Sequence, residues 1–399
     1  MMPEVPVSVQ RAIKELKGQD REPLCAYVYD LPELRQRAQG IVECLPPRCE
    51  MFYAAKANPA LPVLGALAPF VRGFEVASGG ELDWVRRHFP DTPVIFGGPG
   101  KLPSDLENAI DQNVELLHVE SLLELQRLCD IAGRRQAHQD ILLRINLELA
   151  DTPSTRLTMG GVPTPFGMEE ACIPDALALL GRQDRVRLRG FHFHLMSHQL
   201  DEKRHLGLIK HYLETVRAWE ARYDLTITEI NVGGGIGINY TRPDQQFDWS
   251  GFCSGLDELL QVYSDRAWKI RFECGRFITA PCGFYVGEVL DVKRCGEEWF
   301  AICRGGTHHF RTPAAQAHDH PFDILPSHDR EAAAPVVANH SVTLVGQLCT
   351  PKDVFARRVD VESLGVGDLV VFRYAGAYAW NISHQAFLMH PHPKAHFIE

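Results

Sequence analysis

The chain lacks any stretch of 18 consecutive apolar residues, so no membrane-spanning helix is expected. It also lacks a run of five or more like charges, a low-complexity tract and an internal repeat. Its 41 Lys and Arg stand against 51 Asp and Glu, a net charge of -10. That balance argues against a nucleic-acid binder, which needs a basic stripe. The first twenty residues have neither the apolar core nor the small-residue cleavage pattern of a signal peptide. The eleven cysteines form no Cys-x-x-Cys pair, and the histidines form no His-Glu-x-x-His frame, so no metal site is expected. Scattered thiols in odd number fit reduced cysteines in a cytoplasmic protein. With 45% hydrophobic and 23% charged residues, the composition is that of an ordinary globular chain.

What is present is an alternation of strand and helix signals. β-Branched or aromatic runs lie at Met51–Ala57, Gly73–Ala77, Val94–Gly97, Leu116–Val119, Ile141–Leu147, Leu188–Leu195, Ile227–Val232 and Lys269–Glu273. Segments long enough for a helix separate them. Two carry the hydroxyl-then-Glu spacing of a capping box, Ser104 with Glu107 and Ser121 with Glu124. Eight βα units predict a closed (β/α)8 barrel, an α/β fold whose active site sits at the C-terminal strand ends. After about residue 285 the texture changes to strands without helical partners, at Gly283–Lys293, Trp299–Cys303, Ser341–Val345 and Asp368–Phe372. We expect a barrel over 36–285 and a mostly β domain built from 1–35 and 286–399, the N-terminal part carrying the strand-like run Leu24–Tyr29.

Polar residues fall where such a barrel would use them. Lys56 closes the first run, Glu75 lies in the second, His194 ends the sixth, Gly233-Gly234-Gly235 follow the seventh and Glu273 ends the eighth. A desolvated lysine at a strand end becomes a nucleophilic amine able to form a Schiff base, although a solvated lysine is the plainer reading. Consecutive glycines let backbone N–H groups close on a phosphate, or simply make a tight turn; they do not supply the spacing of a dinucleotide fingerprint. Glu273 could accept a hydrogen bond from a protonated ring nitrogen, and Arg276 could face a phosphate, unless the two form a surface pair. Of His192 and His194, one is expected to enter the barrel mouth, where an imidazole could stack on a flat ring. The histidines at 308, 309, 318, 320, 390, 392 and 396 show no metal-ligand frame.

Taken in order, Tyr53–Asn58 (YAAKAN), Gly73–Ser78 (GFEVAS), Phe193–Ser197 (FHLMS), Val232–Gly235 (VGGG), Glu273–Arg276 (ECGR), Gly346–Cys349 (GQLC) and Gly376–Tyr378 (GAY) resemble the pyridoxal-phosphate decarboxylases of the alanine-racemase-like fold. That group contains the diaminopimelate and ornithine decarboxylases. The resemblance implies pyridoxal 5'-phosphate as cofactor, held through Lys56. It implies that His194 stacks on the pyridine ring and that Glu273 keeps the ring nitrogen protonated. Gly234, Gly235, Ser197 and Arg276 would hold the phosphate, with Tyr378 near it. Glu75, Gly275 and Arg144 would lie near the cofactor. Cys349 would reach the active site of the other subunit and take part in protonating the product carbon, which implies a homodimer with shared sites.

The departures from the best-known members lie at the substrate end. After the cysteine those enzymes carry an acid that meets the distal amine of the substrate; here the position is Thr350. The run Gly305–Arg311 (GGTHHFR) replaces a Gly-Gly-Met-Asn-Asp type segment. The resemblance is therefore to the branch serving carboxylate-siderophore pathways, whose substrates are citryl conjugates of a diamino acid such as citryl-diaminopropionate. Basic groups at His308, His309 and Arg311 would suit the citryl carboxylates. The alternatives are a diaminopimelate or ornithine/lysine decarboxylase proper, and a non-catalytic pyridoxal-phosphate carrier. The carrier class lacks the β domain and the cysteine motif. A catalytically dead paralogue would not need Lys56, His194, Glu273 and Cys349, and a metal-dependent barrel hydrolase is the reading if no cofactor binds.

Overall fold

The computed structural model describes residues 5–19, 21–148, 162–327 and 334–399. The chain divides into two compact units, one of Arg37–Gly237 and Phe247–Gly275, the other of Met1–Gln36, Ile238–Gln246 and Arg276–Glu399. The division therefore falls at residue 275 and not 285, and the short segment after the glycine run goes with the second unit. Strand β1 (Cys25–Asp30) precedes β2 (Cys49–Ala54), β3 (Gly73–Val76), β4 (Val94–Phe96), β5 (Leu116–Val119), β6 (Gln139–Arg144), β7 (Val186–His192), β8 (Glu229–Asn231) and β9 (Lys269–Cys274). Then come β10 (Gly283–Cys295), β11 (Glu298–Cys303), β12 (Phe322–Leu325), β13 (Val336–Val345), β14 (Val354–Gly365), β15 (Leu369–Phe372) and β16 (Lys394–Ile398).

Strands β2 to β9 form a closed, all-parallel barrel, with β9 returning to β2 through Phe52 opposite Glu273. The register explains what the interior holds. Side chains alternate along a strand, so residues two apart share a face. Phe52, Ile95, Leu116 and Leu142 form one buried apolar cluster. Two residues on from Leu116 and Leu142 stand His118 and Arg144, and Glu75, His192, Asn231 and Glu273 lie at or next to the C-terminal ends of β3, β7, β8 and β9. The same periodicity that packs an apolar layer thus stacks a polar layer above it. Gly190 is needed for the β7–β8 approach, because a Cβ there would come within 1.7 Å of the Glu229 carbonyl oxygen. Arg271 fills the opposite end, buried and ion-paired to Glu115 at 2.6 Å and Glu229 at 2.9 Å.

The helices on the barrel carry their start signals unevenly. The Ser121 hydroxyl accepts from the Glu124 N–H at 3.1 Å, as its spacing predicts. Ser104 does not cap: the helix starts at Pro103, and the Asp105 carboxylate accepts from the Leu102 N–H at 2.9 Å instead. Proline at the first helical turn needs no N–H, so it fixes the start two residues earlier than a Ser104 cap would.

In the second unit the sheet runs β12-β15-β10-β11-β13-β14, and β1 joins it antiparallel to β10 and parallel to β16. The N-terminal helix Val7–Gly18 buries Val9, Ala12, Ile13 and Leu16, a helical i, i+3, i+4, i+7 face. They pack on Ala26, Val28, Phe284, Val286, Leu369 and Val371. Burial of each large aliphatic side chain is worth about 1.5–3 kcal/mol, so this face alone accounts for the helix. Strands β12, β14 and β16 had no expectation from the sequence. β14 is half exposed and charged, and β12 and β16 are short, so neither gives an apolar run. No helix among the described residues is long and apolar enough to cross a membrane.

Candidate active site

Lys56 does not lie in a strand. β2 ends at Ala54, and Lys56 sits in the single 3-10 turn Ala55–Ala57 that follows. Gly275 makes room for this turn, because a Cβ on it would come 2.7 Å from the Ala57 Cβ. The Lys56 Nζ donates to both Glu75 carboxylate oxygens, at 2.8 and 2.7 Å. The Lys56 side chain is 40% exposed and Glu75 only 4%, so the amine faces the open end while its counter-charge is buried. Burial pushes the Glu75 carboxyl up, Lys56 pulls it down, and nearby Glu273 pushes it up again. Glu75 thus positions the lysine.

His192 and His194 both face the barrel interior, correcting the expectation that only one would. Residues two apart share a strand face, and Phe193 between them turns outward onto Tyr212, ring centroids 4.6 Å apart. His194 is half-buried just past the end of β7 and packs against the glycine run, with the Gly234 N–H 3.4 Å from its Nδ1. Burial holds its imidazole well below the ordinary range, helped by Arg144, His192 and Lys56. Gly233 and Gly235 have φ of +71° and +76°, which side chains other than glycine rarely adopt. A Cβ on Gly235 would meet the Met196 carbonyl oxygen at 2.4 Å, and it would lie 3.9 Å from Ser197. The glycine run and Ser197 are therefore neighbours.

Arg144 reaches inward from the end of β6 and donates to Glu120 at 2.8 Å. Glu120 also accepts the Gly98 N–H at 2.8 Å and the Gly167 N–H at 3.1 Å, tying three loops to one buried carboxylate. Breaking a buried pair costs more than forming it gains, because one charge is left unpaired. Glu120→Ala is expected to cost about 3–5 kcal/mol of stability, read as a lower urea midpoint at unchanged slope. Sequence reasoning missed Glu120, His118 and Asn231. A polar residue in phase with Glu273 on a barrel strand was the available signal.

In the second unit, Arg276 donates to the Tyr240 hydroxyl at 2.8 Å and lies 4.6 Å from the Tyr378 ring centroid. The unit also holds a pocket of about 520 Å³ lined by Thr307, His308, Arg311, Thr350 and Lys352 among others. Cys349 is exposed between Leu348 and Thr350 of that wall. Asp353 accepts the Thr307 N–H at 2.6 Å and the Leu348 N–H at 2.8 Å, so one carboxylate joins both walls. His309 does not line the pocket. It is buried, 3.5 Å from both Cys25 Sγ and the Tyr285 hydroxyl. Burial pushes His308 down to about 4 and His309 down to about 3, so neither carries the expected positive charge near neutral pH. Positive charge in the pocket comes from Arg311 and from Lys352, which sequence reasoning missed.

The barrel mouth fits pyridoxal phosphate by the chemistry of its donors. It offers a primary amine held at a stated place, a flat imidazole, a carboxylate at depth and a glycine run at a strand end. Three buried imidazole nitrogens around Glu273 (both of His192 and Nδ1 of His118) also have no hydrogen-bond partner among the described residues.

Comparison with known proteins agrees with that fit. Residues 31–280 match the family model described as the pyridoxal-dependent decarboxylase, pyridoxal binding domain. The chain is 44% identical over 388 residues to 2-[(L-alanin-3-ylcarbamoyl)methyl]-2-hydroxybutanedioate decarboxylase of Staphylococcus aureus, covering 97% of this chain and 96% of that one. It is 29% identical over 357 residues to the diaminopimelate decarboxylase of Bacteroides thetaiotaomicron, covering 88% and 90%. Among solved structures, diaminopimelate decarboxylase of Helicobacter pylori complexed with L-lysine superposes with a TM-score of 0.85 at 24% identity, covering 97% of this chain and 94% of that one, a likeness of fold. The chain belongs to the pyridoxal-dependent decarboxylases.

Proposed function

We propose that this decarboxylase removes CO2 from an α-amino acid whose far end carries carboxylates, a citryl conjugate of a diamino acid such as citryl-diaminopropionate, in the assembly of a carboxylate siderophore. The observation that carries the reading is the 44% identity over 97% of the chain to a decarboxylase named for an alanine unit joined through a carbamoyl group to a 2-hydroxybutanedioate. The β-unit pocket supports it. Thr350 is neutral where an amine-recognising enzyme carries an acid, and Arg311 and Lys352 supply positive charge.

Pyridoxal phosphate, when bound, supplies a sink for the electron pair left as CO2 departs. The chain's own residues do the rest. Lys56 Nζ anchors the cofactor and is held in place by Glu75. His194 covers one face of the ring, and Glu273 accepts from its nitrogen. Gly234, Gly235 and Ser197 take the phosphate, since backbone N–H groups suit an anion. Lys56 Nζ or Cys349 Sγ returns a proton to the α-carbon. We place Cys349 in the site of the second subunit of a homodimer, in the cytoplasm.

The test is CO2 release from citryl-diaminopropionate, meso-diaminopimelate, ornithine and lysine side by side. The conjugate should turn over fastest; faster release from a free diamino acid would sink the reading and favour the diaminopimelate or ornithine/lysine alternative. Two variants sharpen it. Arg311→Ala should raise KM for the conjugate about tenfold while leaving kcat close to normal, the loss of one charge-assisted contact at an exposed site. Cys349→Ala should bind cofactor normally and lose about 10²-fold in kcat, the scale of one proton-transfer group; unchanged kinetics would remove Cys349 from the reaction.

A further inference from the structure

We propose that His118 and His192 are positioning residues that act through Glu273, with Asn231 setting the proton arrangement. The proposal rests on the reading that Glu273 meets the cofactor's ring nitrogen. Four side chains from β5, β7, β8 and β9 converge in the polar layer, and all are buried: His118 at 0%, His192 at 2%, Asn231 at 0% and Glu273 at 5% exposure. Asn231 Nδ2 donates to Glu273 Oε1 at 2.7 Å. His118 Nδ1 is 3.5 Å from Oε1, and His192 Nε2 is 3.5 Å from Oε2. The two imidazoles pack on each other, ring centroids 4.2 Å apart.

The hydrogen-bond directions can be worked out from the backbone inward. The Gly233 N–H donates to Asn231 Oδ1 at 2.8 Å, which fixes the amide with its NH2 toward Glu273 and His118. That NH2 lies 3.4 Å from His118 Nε2, so Nε2 is the acceptor and the ring proton belongs on Nδ1. Nδ1 is the atom facing Glu273 Oε1. For His192 neither ring nitrogen has a hydrogen-bond partner among the described residues; Nε2 is the one that faces the carboxylate, 3.5 Å from Oε2, and we place its proton there. Both rings are neutral, held well below the ordinary imidazole range by burial, each further opposed by nearby cations. His118 also feels His192, Lys101 and Arg144, with Glu273 pulling the other way; His192 feels Arg144, Lys56 and Lys101.

Each neutral ring then has one N–H, and both N–H groups face one carboxylate across 3.5 Å, longer than a made hydrogen bond, beside the 2.7 Å bond from Asn231. Together with Asn231 they fix the Glu273 rotamer and leave its remaining lone-pair directions for the pyridine nitrogen. The relay begins at Gly233, the first residue of the phosphate-side glycine run, so the two ends of the cofactor site are joined through Asn231. His118, His192 and Glu273 also bring ligand-type atoms within 4.8 Å of one another. The amide N–H already directed at Oε1 makes the cluster suited to a carboxylate and a ring nitrogen, not to a cation.

The test begins with the unaltered protein. Nitrogen-15 spectra of its histidines at pH 7, without and with pyridoxal phosphate, should show His118 neutral with the proton on Nδ1 and His192 neutral with the proton on Nε2. Protonated rings or the opposite tautomers would overturn the proposal, whatever the substrate proves to be. Variants add a second readout. His118→Asn and His192→Gln each keep a donor near the Nδ1 or Nε2 position, whereas His118→Leu and His192→Leu keep none. With ¹⁵N-labelled pyridoxal phosphate, the leucine variants should move the ring-nitrogen resonance toward the unprotonated position and lose about 10–100-fold in kcat with KM unchanged. The amide variants should recover most of both. Folded leucine variants with an unmoved ring-nitrogen resonance would refute the idea. If those variants fail to fold, the tautomers in the unaltered protein decide it alone. A failure of the citryl substrate reading would show in CO2 release and leave both nitrogen readouts unchanged.

Discussion

Lys56→Ala is expected to lower kcat on the order of 10⁴-fold while leaving a folded protein. The lysine sits on a short turn at the barrel mouth, and among the described residues no second lysine is ion-paired to Glu75. The substitution strands Glu75, whose side chain is only 4% exposed. Its carboxyl is already pushed up by burial and by Glu273, and the lysine that opposed those effects is gone. The carboxyl therefore takes up a proton instead of remaining a buried, unpaired charge. The sign follows directly. The folded variant binds this proton more tightly than the unfolded chain does, so the contribution is fully present below the unfolded carboxylate pKa. It is lost as pH rises through the higher folded value. Melting temperatures measured from pH 4 upward should fall with rising pH in the variant more steeply than in the parent. A parallel pH profile would mean that Glu75 is not carrying the burial cost.

Glu273→Gln is the second large effect, an expected loss of about 10²–10³-fold in kcat with cofactor still bound, the scale of one pre-organised electrostatic contact. Glutamine keeps the size and can still accept from Asn231 at the Oε1 position, so packing is preserved. It removes the negative charge facing the ring nitrogen, and with it the reason for that nitrogen to stay protonated. The absorbance of the bound cofactor and kcat should change together. Unchanged spectrum and rate would show that the ring nitrogen is met by some other group.

The barrel was legible because its strands are short apolar runs at regular spacing, and because a parallel strand buried on both faces needs such a run. Lys56, Glu75, His194 and Glu273 were legible for the complementary reason: a charged or polar residue at the end of an apolar run is costly unless used. Strand limits were less so. Lys56 and His194 read as strand residues, yet both lie past strand ends, where the backbone turns and presents them at the mouth. Glu120, His118 and Asn231 were missed, since their value comes from partners on other strands. Glu120 pairs with Arg144 from the next strand, and Asn231 joins His118 to Glu273 across the barrel. Such a network is a property of register, which a single sequence does not state. His309 shows the opposite error. It reads as one of a basic pair, but one residue along a tight turn points it into the protein beside Cys25 and Tyr285, where burial strips it of charge.

The most direct measurement is borohydride reduction of the protein loaded with pyridoxal phosphate, followed by peptide mapping of the fixed label. A stoichiometric label on Lys56, with loss of the absorbance near 420 nm and of CO2 release in step, is the result this account requires. Label on another lysine, or a protein that binds the cofactor without any reducible bond to Lys56, would contradict it.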